Sequence, residues 1–587
     1  MEKWFIKNKK GDFSKIARAF GVSEKLVQLA VNRNVKSASE LKEYLYPDTH
    51  MLLEPNKMKD SVLAVDILKK KIEQRKSIRI IGDYDVDGVM AAYLLKVGLS
   101  RVGAVVDYEI PDRIKDGYGI NIDIVEAASS DNIDTIITCD NGIAAYDQIQ
   151  RAKELGMTVI ITDHHEVPYE EQEDGKRIYK VPPADAVVNP KQWDCSYLFK
   201  KLCGAAVVFK LLELLWKEYF IALNELEELL PFVAIATVCD VMDLEGENRV
   251  LVSQGLKKLP FSKNYGIQAL IEVNQLKERK LSAYHMGFIL GPCINASGRL
   301  ESAKISLKMF LAEDYERAMQ SAKKLKLLNE ERKELTSLGV KQAYSVVEEQ
   351  YESDSVLVVF LPDCHESIAG IIAGRVREKY NKPAIILTRA EQGVKGSGRS
   401  IEAYSMFEKL NECRELLTKF GGHPMAAGLS LPEENISLLR AKLNQNSSLT
   451  EDDLIRKVSF DMELPFNEIS PKFIREMELL EPFGKGNGKP TFVLRNVEII
   501  NGRLIGKDNS MLRLSVKTKS SSNLYSAMLF QGLDRFEEIV GEKYGKNAME
   551  QILKGNAKNI LLDLVFYPDV NEYNGKETVQ IIIQHFR

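Results

Sequence analysis

The chain has 587 residues, too many for one hydrophobic core, which implies about three or four domains. Its 45% hydrophobic and 28% charged residues are ordinary for a globular protein, and a net charge of −4 excludes a global basic field, leaving only a local groove for any polyanion. Seven scattered cysteines without a Cys-x-x-Cys pair exclude a zinc ribbon or a disulfide framework and fit a reducing compartment. MEKWFIKNKKGDF lacks an apolar signal core and no uncharged apolar run is of bilayer length, so the expectation is a cytoplasmic protein with no membrane partner.

Residues 1–60 read as a helical N-terminal leader. Residues 16–34 superficially match a helix-turn-helix, with Gly21 at the turn and Ser23 as N-cap. No basic recognition face follows, so the leader is expected to pack on the main domain.

From 61 to about 195, strands are expected at 78–81, 104–110, 134–139, 157–162 and 185–188, with helices at 88–101, 120–129 and 143–155. Apolar strands separated by helices predict a mostly parallel, doubly wound sheet. Polar residues gather where these strands end. Asp83, Asp85 and Asp87 follow the first, before Gly88; Asp140-Asn141-Gly142 follow the third; Asp163-His164-His165 follow the fourth; Asn189-Pro190 follow the last. Alternate residues beyond a strand project the same way, so several carboxylates converge at one strand end, which is costly unless cations sit between them. Asp-x-Asp-x-Asp-Gly also opens an EF-hand, but its twelfth position here is Leu94, not Glu, and 89–95 is nearly all apolar. A single strand-end aspartate is ordinarily a turn or cap. Three acidic strand ends and two adjacent histidines, in a chain with only seven, exceed what capping explains. Carboxylates with imidazole suit Mn²⁺, or Mg²⁺ with fewer nitrogen ligands. A carboxylate bridging two ions is what phosphoester hydrolysis calls for.

Residues 196–300 look mostly helical. In the apolar helix 229–244, LLPFVAIATVCDVMDL, Asp240 is expensive unless ligated or paired; on the residues alone, core helix and metal ligand balance. In 291–300, GPCINASGRL, Arg299 is expected in a Gly/Ser-rich turn as a phosphate contact. Residues 301–349 form a long charged connecting helix whose charges face solvent. A second α/β unit spans 350–450, with strands at 356–361 and 384–387 and a helix at 367–380. Two glycine-rich stretches there, 396–400 and 421–428, are expected as loops in which backbone N–H groups beside Arg399 or His423 can close on phosphate; tight turns are the plainer reading. In 451–587 strands are expected at 457–461, 491–500, 511–517, 524–530, 560–567 and 578–585, an OB-like β-barrel of the kind that often binds single strands. A purely structural β-domain is the alternative.

DYDVDG (83–88), CDNGI (139–143), DHH (163–165), Asp240 in ATVCDVMDL, NASGRL (295–300), GSGRS (396–400), GGHPMAAG (421–428) and EPFGKGNGKP (481–490) stand in an order that resembles the DHH phosphoesterase superfamily. Within it, PFGKGN and the trailing β-domain resemble the RecJ family of bacterial single-stranded-DNA-specific exonucleases. The resemblance covers nearly the whole chain. It implies an α/β fold of a DHH catalytic domain (61–300) and a DHHA1-like substrate-binding domain (350–450), joined by the 301–349 helix around a catalytic cleft, plus the OB-like domain (451–587). It also implies that Asp85, Asp87, Asp140, His164 and Asp240 ligate two Mn²⁺ or Mg²⁺ ions, with Asp140 bridging. Asp83, counted with the ligands, and His165 lie at or just behind the site, His165 addressing the substrate phosphate. Arg113 in PDRIKDGYG contacts a DNA phosphate, Arg299, Ser397 and Arg399 recognise the 5′ end, and His423 holds the scissile phosphate from the second domain.

The implied reaction is stepwise 5′-to-3′ hydrolysis of single-stranded DNA to 5′-mononucleotides, in recombination and repair. The implied setting is a monomer working with single-strand-binding protein and a RecQ-type helicase. This sequence departs from some relatives, which carry a further C-terminal domain after the β-domain, and the departure puts partner binding through such a domain in doubt. Two rival readings are a DHH phosphoesterase for short oligoribonucleotides, cyclic dinucleotides or pyrophosphate, and a non-catalytic single-strand-binding replication factor. The 455–587 extension weighs against the first, and the full set of acids and histidines against the second.

Overall fold

The computed structural model describes residues 2–7, 9–117, 119–172, 174–391, 393–506, 508–518, 521–573 and 576–587. The chain forms two compact units, one of Thr49–Arg456 and one of Met1–Asp48 with Lys457–Arg587.

The larger unit begins with a five-stranded sheet of Ser77–Ile81 (β1), Val105–Glu109 (β2), Thr135–Cys139 (β3), Thr158–Thr162 (β4) and Ala186–Val188 (β5). All neighbours are parallel, in the order β2-β1-β3-β4-β5. Alternate strand residues enter two cores: Ile78, Ile80, Ile137 and Ile160 on one face, Ile81, Ile136, Val159 and Ile161 on the other. Burial on both faces explains why these strands are apolar throughout. The helix Val86–Arg101 (α1) follows β1 and packs on Gly204–Glu218 (α2) and Leu230–Cys239 (α3). Gly98 permits the close α1–α2 approach, since a Cβ there would lie 2.4 Å from Leu212 Cδ2. From β1 the chain winds to β2 on one side and then returns to β3 on the other. That reversal leaves a crevice outside the carboxyl ends of β1 and β3, where ligands bind in sheets of this order.

Gly291–Leu300 (α4) leads through Lys304–Phe310 to Tyr315–Val346 (α5), a single helix of 32 residues. The expected 301–349 connector is therefore broken at its start, because Leu307, Met309 and Phe310 turn into the first core. α5 bridges two cores: Ala318, Ala322 and Leu325 belong to the first, Ala343 to the next. The second sheet holds Leu357–Phe360 (β6), Ala384–Arg389 (β7), Val394–Arg399 (β8), Lys419–His423 (β9) and Ala426–Leu431 (β10), in the order β9-β10-β8-β7-β6, with Ala369–Tyr380 (α6) between β6 and β7. Only β6 and β7 are parallel. The glycine-rich stretches expected as loops are strand instead, 396–399 in β8 and 421–423 with 426–428 in β9 and β10. Glycine serves packing there: a Cβ at Gly396 would lie 2.4 Å from Leu387 Cδ2.

In the smaller unit, Phe492–Ile505 (β11), Met511–Thr518 (β12), Ser521–Leu529 (β13), Leu561–Tyr573 (β14) and Lys576–Phe586 (β15) follow the order β11-β12-β13-β15-β14. β14 pairs back onto β11 and closes a five-stranded barrel, with β13–β15 its parallel pair. β11 and β14 run longer than their apolar patterns indicated. Register shifts at Ile499/Asn501 and Leu494/Val497 bend β11 round the barrel without ending it.

The N-terminal leader corrects an expectation. Its helices Phe13–Phe20, Glu24–Asn32 and Ala38–Leu45 belong to the β-rich unit rather than to the main domain, and Leu26, Leu29 and Leu41 share a core with Phe473 and Phe492 there. The pattern 26, 29, 30 marks a buried helical face but carries no record of its partner. Polar contacts reinforce the docking. Arg33 donates to both carboxylate oxygens of buried Asp461, at 3.2 and 3.3 Å, and to the Gly488 carbonyl at 2.7 Å. Arg33→Met leaves that buried carboxylate only the half-exposed Lys7 Nζ at 3.7 Å as a cation, and denaturant unfolding of the β-rich unit is expected to show a loss of about 3–5 kcal/mol. A loss under about 1 kcal/mol would mean that Lys7, Asn32 and the Thr491 amide suffice for Asp461.

Candidate metal centre

Asp85 follows β1 as the N-cap of α1, its Oδ1 accepting from Gly88 N at 3.1 Å. Asp83 is buried beneath that turn, so close that a Cβ at Gly88 would lie 2.5 Å from its backbone. Asp87, in the first turn of α1, reaches the start of α2 and accepts from Gly204 N at 2.6 Å and Ala205 N at 2.8 Å. A helix N-terminus thus faces this carboxylate. Asp140 follows β3 in the left-handed region, φ 62°, which turns it over the sheet edge. It touches α2 as well, since a Cβ at Gly204 would lie 2.6 Å from Asp140 Cβ. Asp240 directly follows Cys239 as the C-cap of α3 rather than lying within the helix.

Asp163, at the end of β4, accepts from Ile143 N, His164 N and His165 N, and faces His165 Nδ1 at 2.7 Å. His164 turns the other way. Its Nε2 lies 3.0 Å from Asp140 Oδ1 and 3.7 Å from both Asp87 and Asp240. Three sets of donor atoms lie within 4.8 Å of one another: Asp83, Asp85 and Asp140; Asp87, His164 and Asp240; Asp140, His164 and His165. Asp140 belongs to two of them, so the crevice gathers Asp83, Asp85, Asp87, Asp140, His164, His165 and Asp240 around one shared carboxylate.

The electrostatics ask for cations. Burial, reinforced by neighbouring acids, pushes Asp83 and Asp140 well above the usual carboxylate range and Asp240 up to about 8. Burial pushes His164 down to about 4, so a neutral imidazole faces three carboxylates. Asp83 Oδ1 and Asp240 Oδ2 find no hydrogen-bond donor among the described residues. Buried, donor-poor carboxylates beside a neutral nitrogen fit divalent cations. The Asp163–His165 pair behaves oppositely. Burial opposes both charges, yet their hydrogen bond holds Asp163 at about 2 and lifts His165 to about 9. His165 is therefore an imidazolium fixed beside the centre. The sequence candidates omitted Asp163 as a positioning residue, although it opens the DHH triplet.

Arginines collect alongside. Arg299 lies on α4, a helix rather than the expected turn, and donates to the Ser367 carbonyl at 2.6 Å. Arg399 Nη1 donates to Ser397 Oγ at 3.0 Å and to the Gly398 carbonyl at 2.8 Å. Gly370 on α6 abuts this pair, because a Cβ there would lie 2.8 Å from Arg399 Nη2 and from Ser397 Oγ. Arg113 stands over the Tyr84 ring, 4.9 Å from its centroid. Burial, then the charges of Arg113 and Arg332, lower Arg299 to about 10. Burial, then Arg113 and Arg377, lower Arg399. Among the described residues no carboxylate hydrogen-bonds to Arg299 or Arg399. Such a cluster takes an anion readily. His423 stands apart, exposed at the end of β9, without a side-chain hydrogen bond or ion pair among the described residues.

Family models match three segments: DHH family, N-terminal domain, over residues 77–237; DHHA1 domain over 353–448; RecJ OB domain over 460–585. The chain is 34% identical over 564 residues to single-stranded-DNA-specific exonuclease RecJ of Bacillus subtilis, covering 95% of this chain and 67% of that protein. It is 31% identical to the protein of that name from Dickeya dadantii, covering 95% of each. Among solved structures, RecJ in complex with Mn²⁺ from Thermus thermophilus superposes with a TM-score of 0.82 at 25% identity, over 100% of this chain and 79% of that one. Exonuclease RecJ bound to manganese gives 0.58 at 30% identity, over 69% and 97%.

Asp163→Asn removes the charge that fixes His165 and the backbone after β4. The variant's affinity for Mn²⁺, titrated by calorimetry, is expected to fall about 10- to 100-fold with the fold intact. Unchanged affinity would reduce Asp163 to a turn cap.

Proposed function

Because the chain belongs to the RecJ family of single-stranded-DNA-specific exonucleases, we propose that it hydrolyses single-stranded DNA from the 5′ end, releasing 5′-mononucleotides. One observation carries the reading: a cation-demanding cluster of carboxylates beside an arginine pocket without acidic partners. Mn²⁺ or Mg²⁺ ions held by Asp83, Asp85, Asp87, Asp140, His164 and Asp240 would polarise the scissile phosphate and lower the pKa of the attacking water.

The chain's own groups do the rest. Arg299, Ser397 and Arg399 bind the terminal 5′-phosphate, and Arg113, braced on Tyr84, takes a phosphate further along. Arg299 feels the field of Asp85, so pocket and acidic cluster adjoin. A terminal phosphate seated in the pocket then places the first internucleotide bond over the carboxylates, and one nucleotide leaves per turnover. The His165 imidazolium, oriented by Asp163, offers a proton donor and a positive charge to a phosphate oxygen. His423, exposed on its hairpin, is assigned to the scissile phosphate.

We divide the chain into the helical leader 1–60, the DHH domain 61–300, the connecting helix 301–349, the DHHA1-like domain 350–450 and the OB-like barrel 451–587, which holds the incoming strand. A role in recombination and repair, in the cytoplasm, as a monomer with single-strand-binding protein and a RecQ-type helicase, belongs to the same proposal; no helix among the described residues is long and apolar enough to cross a membrane.

The test is a time course with Mn²⁺ on long single-stranded DNA labelled at its 5′ end, beside duplex and short RNA. Immediate release of labelled mononucleotide from the single strand alone is expected, and cleavage confined to short RNA would move the protein to the small-substrate phosphoesterases. Asp140→Ala should abolish hydrolysis, since it removes the shared carboxylate; full manganese-dependent activity in that variant would sink the two-ion assignment. Arg399→Ala should erase the preference for 5′-phosphorylated ends while leaving slow cleavage, and an undiminished preference would count against the pocket.

A further inference from the structure

We propose that Tyr284 and Phe288 form a stacking platform for bases of the strand that follow the cleaved nucleotide; the proposal rests on the exonuclease reading. Two large rings stand together at the surface, Tyr284 61% and Phe288 69% exposed, with centroids 5.0 Å apart and planes at 26°. Exposed aromatic pairs are uncommon without a partner. They sit where the chain passes from the turn Ala283–His285 through a π-helical stretch, Met286–Leu290, into α4. Such π-bulges recur at functional sites. Ser282 fixes the start, its Oγ lying 2.9 Å from His285 Nδ1.

The position of this helix ties the rings to the reaction. One of its faces lies on the elements that carry the acids. A Cβ at Gly287 would stand 3.2 Å from Val238 Cγ1, at Gly291 2.3 Å from Cys239 Sγ, and at Gly298 2.4 Å from the Tyr84 carbonyl. Val238 and Cys239 lead into Asp240, and Tyr84 lies between Asp83 and Asp85. Beside that face, at helical spacing, run Tyr284, Phe288, Asn295 and Arg299, none of them fully buried. Phe288 and Arg299 are about 16 Å apart along the axis at helical rise, the span of a few nucleotides. A strand whose 5′-phosphate sits at Arg299 can therefore lay its next bases on the rings. Val241, directly after Asp240, is 58% exposed and holds φ 55°. A β-branched residue in that conformation is strained, a condition retained where function needs it.

Stacking also suits an enzyme that must accept every base, because each presents a π-face and none is read by hydrogen bonds. The occupant proposed is thus single-stranded nucleic acid, with its bases on the rings and its phosphates on the arginines.

Kinetics on a 5′-phosphorylated 12-mer and on a 5′-phosphorylated dinucleotide test this. Tyr284→Ala/Phe288→Ala is expected to raise KM for the 12-mer about 10- to 100-fold with kcat unchanged, as loss of base stacking does. The dinucleotide, too short to reach the rings, should be cleaved as by the parent chain, and Phe288→Trp should keep the parent KM. A series of 12-mers with one abasic site moved along the strand gives an independent readout. The parent enzyme should lose affinity at the positions over the rings and the double variant should be indifferent. An unchanged KM, an equal defect on the dinucleotide, or an abasic profile identical in both proteins would each overturn the platform. A parent chain that cleaves neither oligonucleotide would instead overturn the exonuclease reading.

Discussion

Mutual repulsion among buried carboxylates is the constraint around which the larger unit is built. Asp83, Asp87 and Asp140 are buried just beyond the ends of two adjacent parallel strands, where like charges in a poorly solvated crevice raise one another's proton affinity. The fold answers with backbone dipoles and close packing rather than with basic side chains. The start of α2 donates two N–H groups to Asp87. Gly88 and Gly204 let main chain come within contact of Asp83 and Asp140. Asp140 itself adopts a left-handed backbone. A Lys or Arg in their place would neutralise the cluster permanently and leave no room for a cation that can also meet substrate.

Neighbouring charges are kept separate in kind. The compact ion pair of Asp163 with His165 lies at the edge of the centre and gives a fixed positive charge beside the other acids. The arginines are drawn from α4, which packs in the first core, and from β8 of the second sheet. Their guanidinium groups bond mainly to neutral oxygens, such as those of Ser367, Ser397 and Gly398. Carbonyl and hydroxyl acceptors orient a guanidinium without cancelling it. The basic pocket thus keeps its charge for an anion and the acid cluster keeps its oxygens for cations, and a long helix rooted in two cores carries elements of both.

Much of this was legible in the sequence because strand alternation and strand ends are local properties. The five parallel strands came out within a residue or two, and the acids after β1, β3 and β4 converge as their spacing requires. Asp240 was ambiguous because a C-cap acid and a mid-helix acid differ by one turn, and only the packing of α3 against α4 decides which side it faces. The glycine-rich stretches misled because glycine signals both tight turns and crowded strands; Gly396 is a strand residue pressed on Leu387. The leader misled for a different reason. Amphipathic periodicity records that a face is buried, whereas the choice of the barrel core depends on a complement more than 400 positions away, as between Arg33 and Asp461. Asp163 and Gly204 act through what they hold in place; the DHH triplet marks the first, and nothing in its own neighbourhood advertises the second.

Recognition along the proposed substrate path is confined to groups that every nucleotide shares. Arginines address phosphate, which carries position and no sequence. Exposed rings address the faces of bases, which differ little. Along the helix stripe of Tyr284, Phe288, Asn295 and Arg299, Asn295 alone bears an amide of the kind that reads base edges. Such a division allows a strand to advance by one phosphate without breaking contacts specific to the base just removed. The energetic steps of successive positions then stay nearly equal, the condition under which a single site can work repeatedly along a chain of arbitrary sequence.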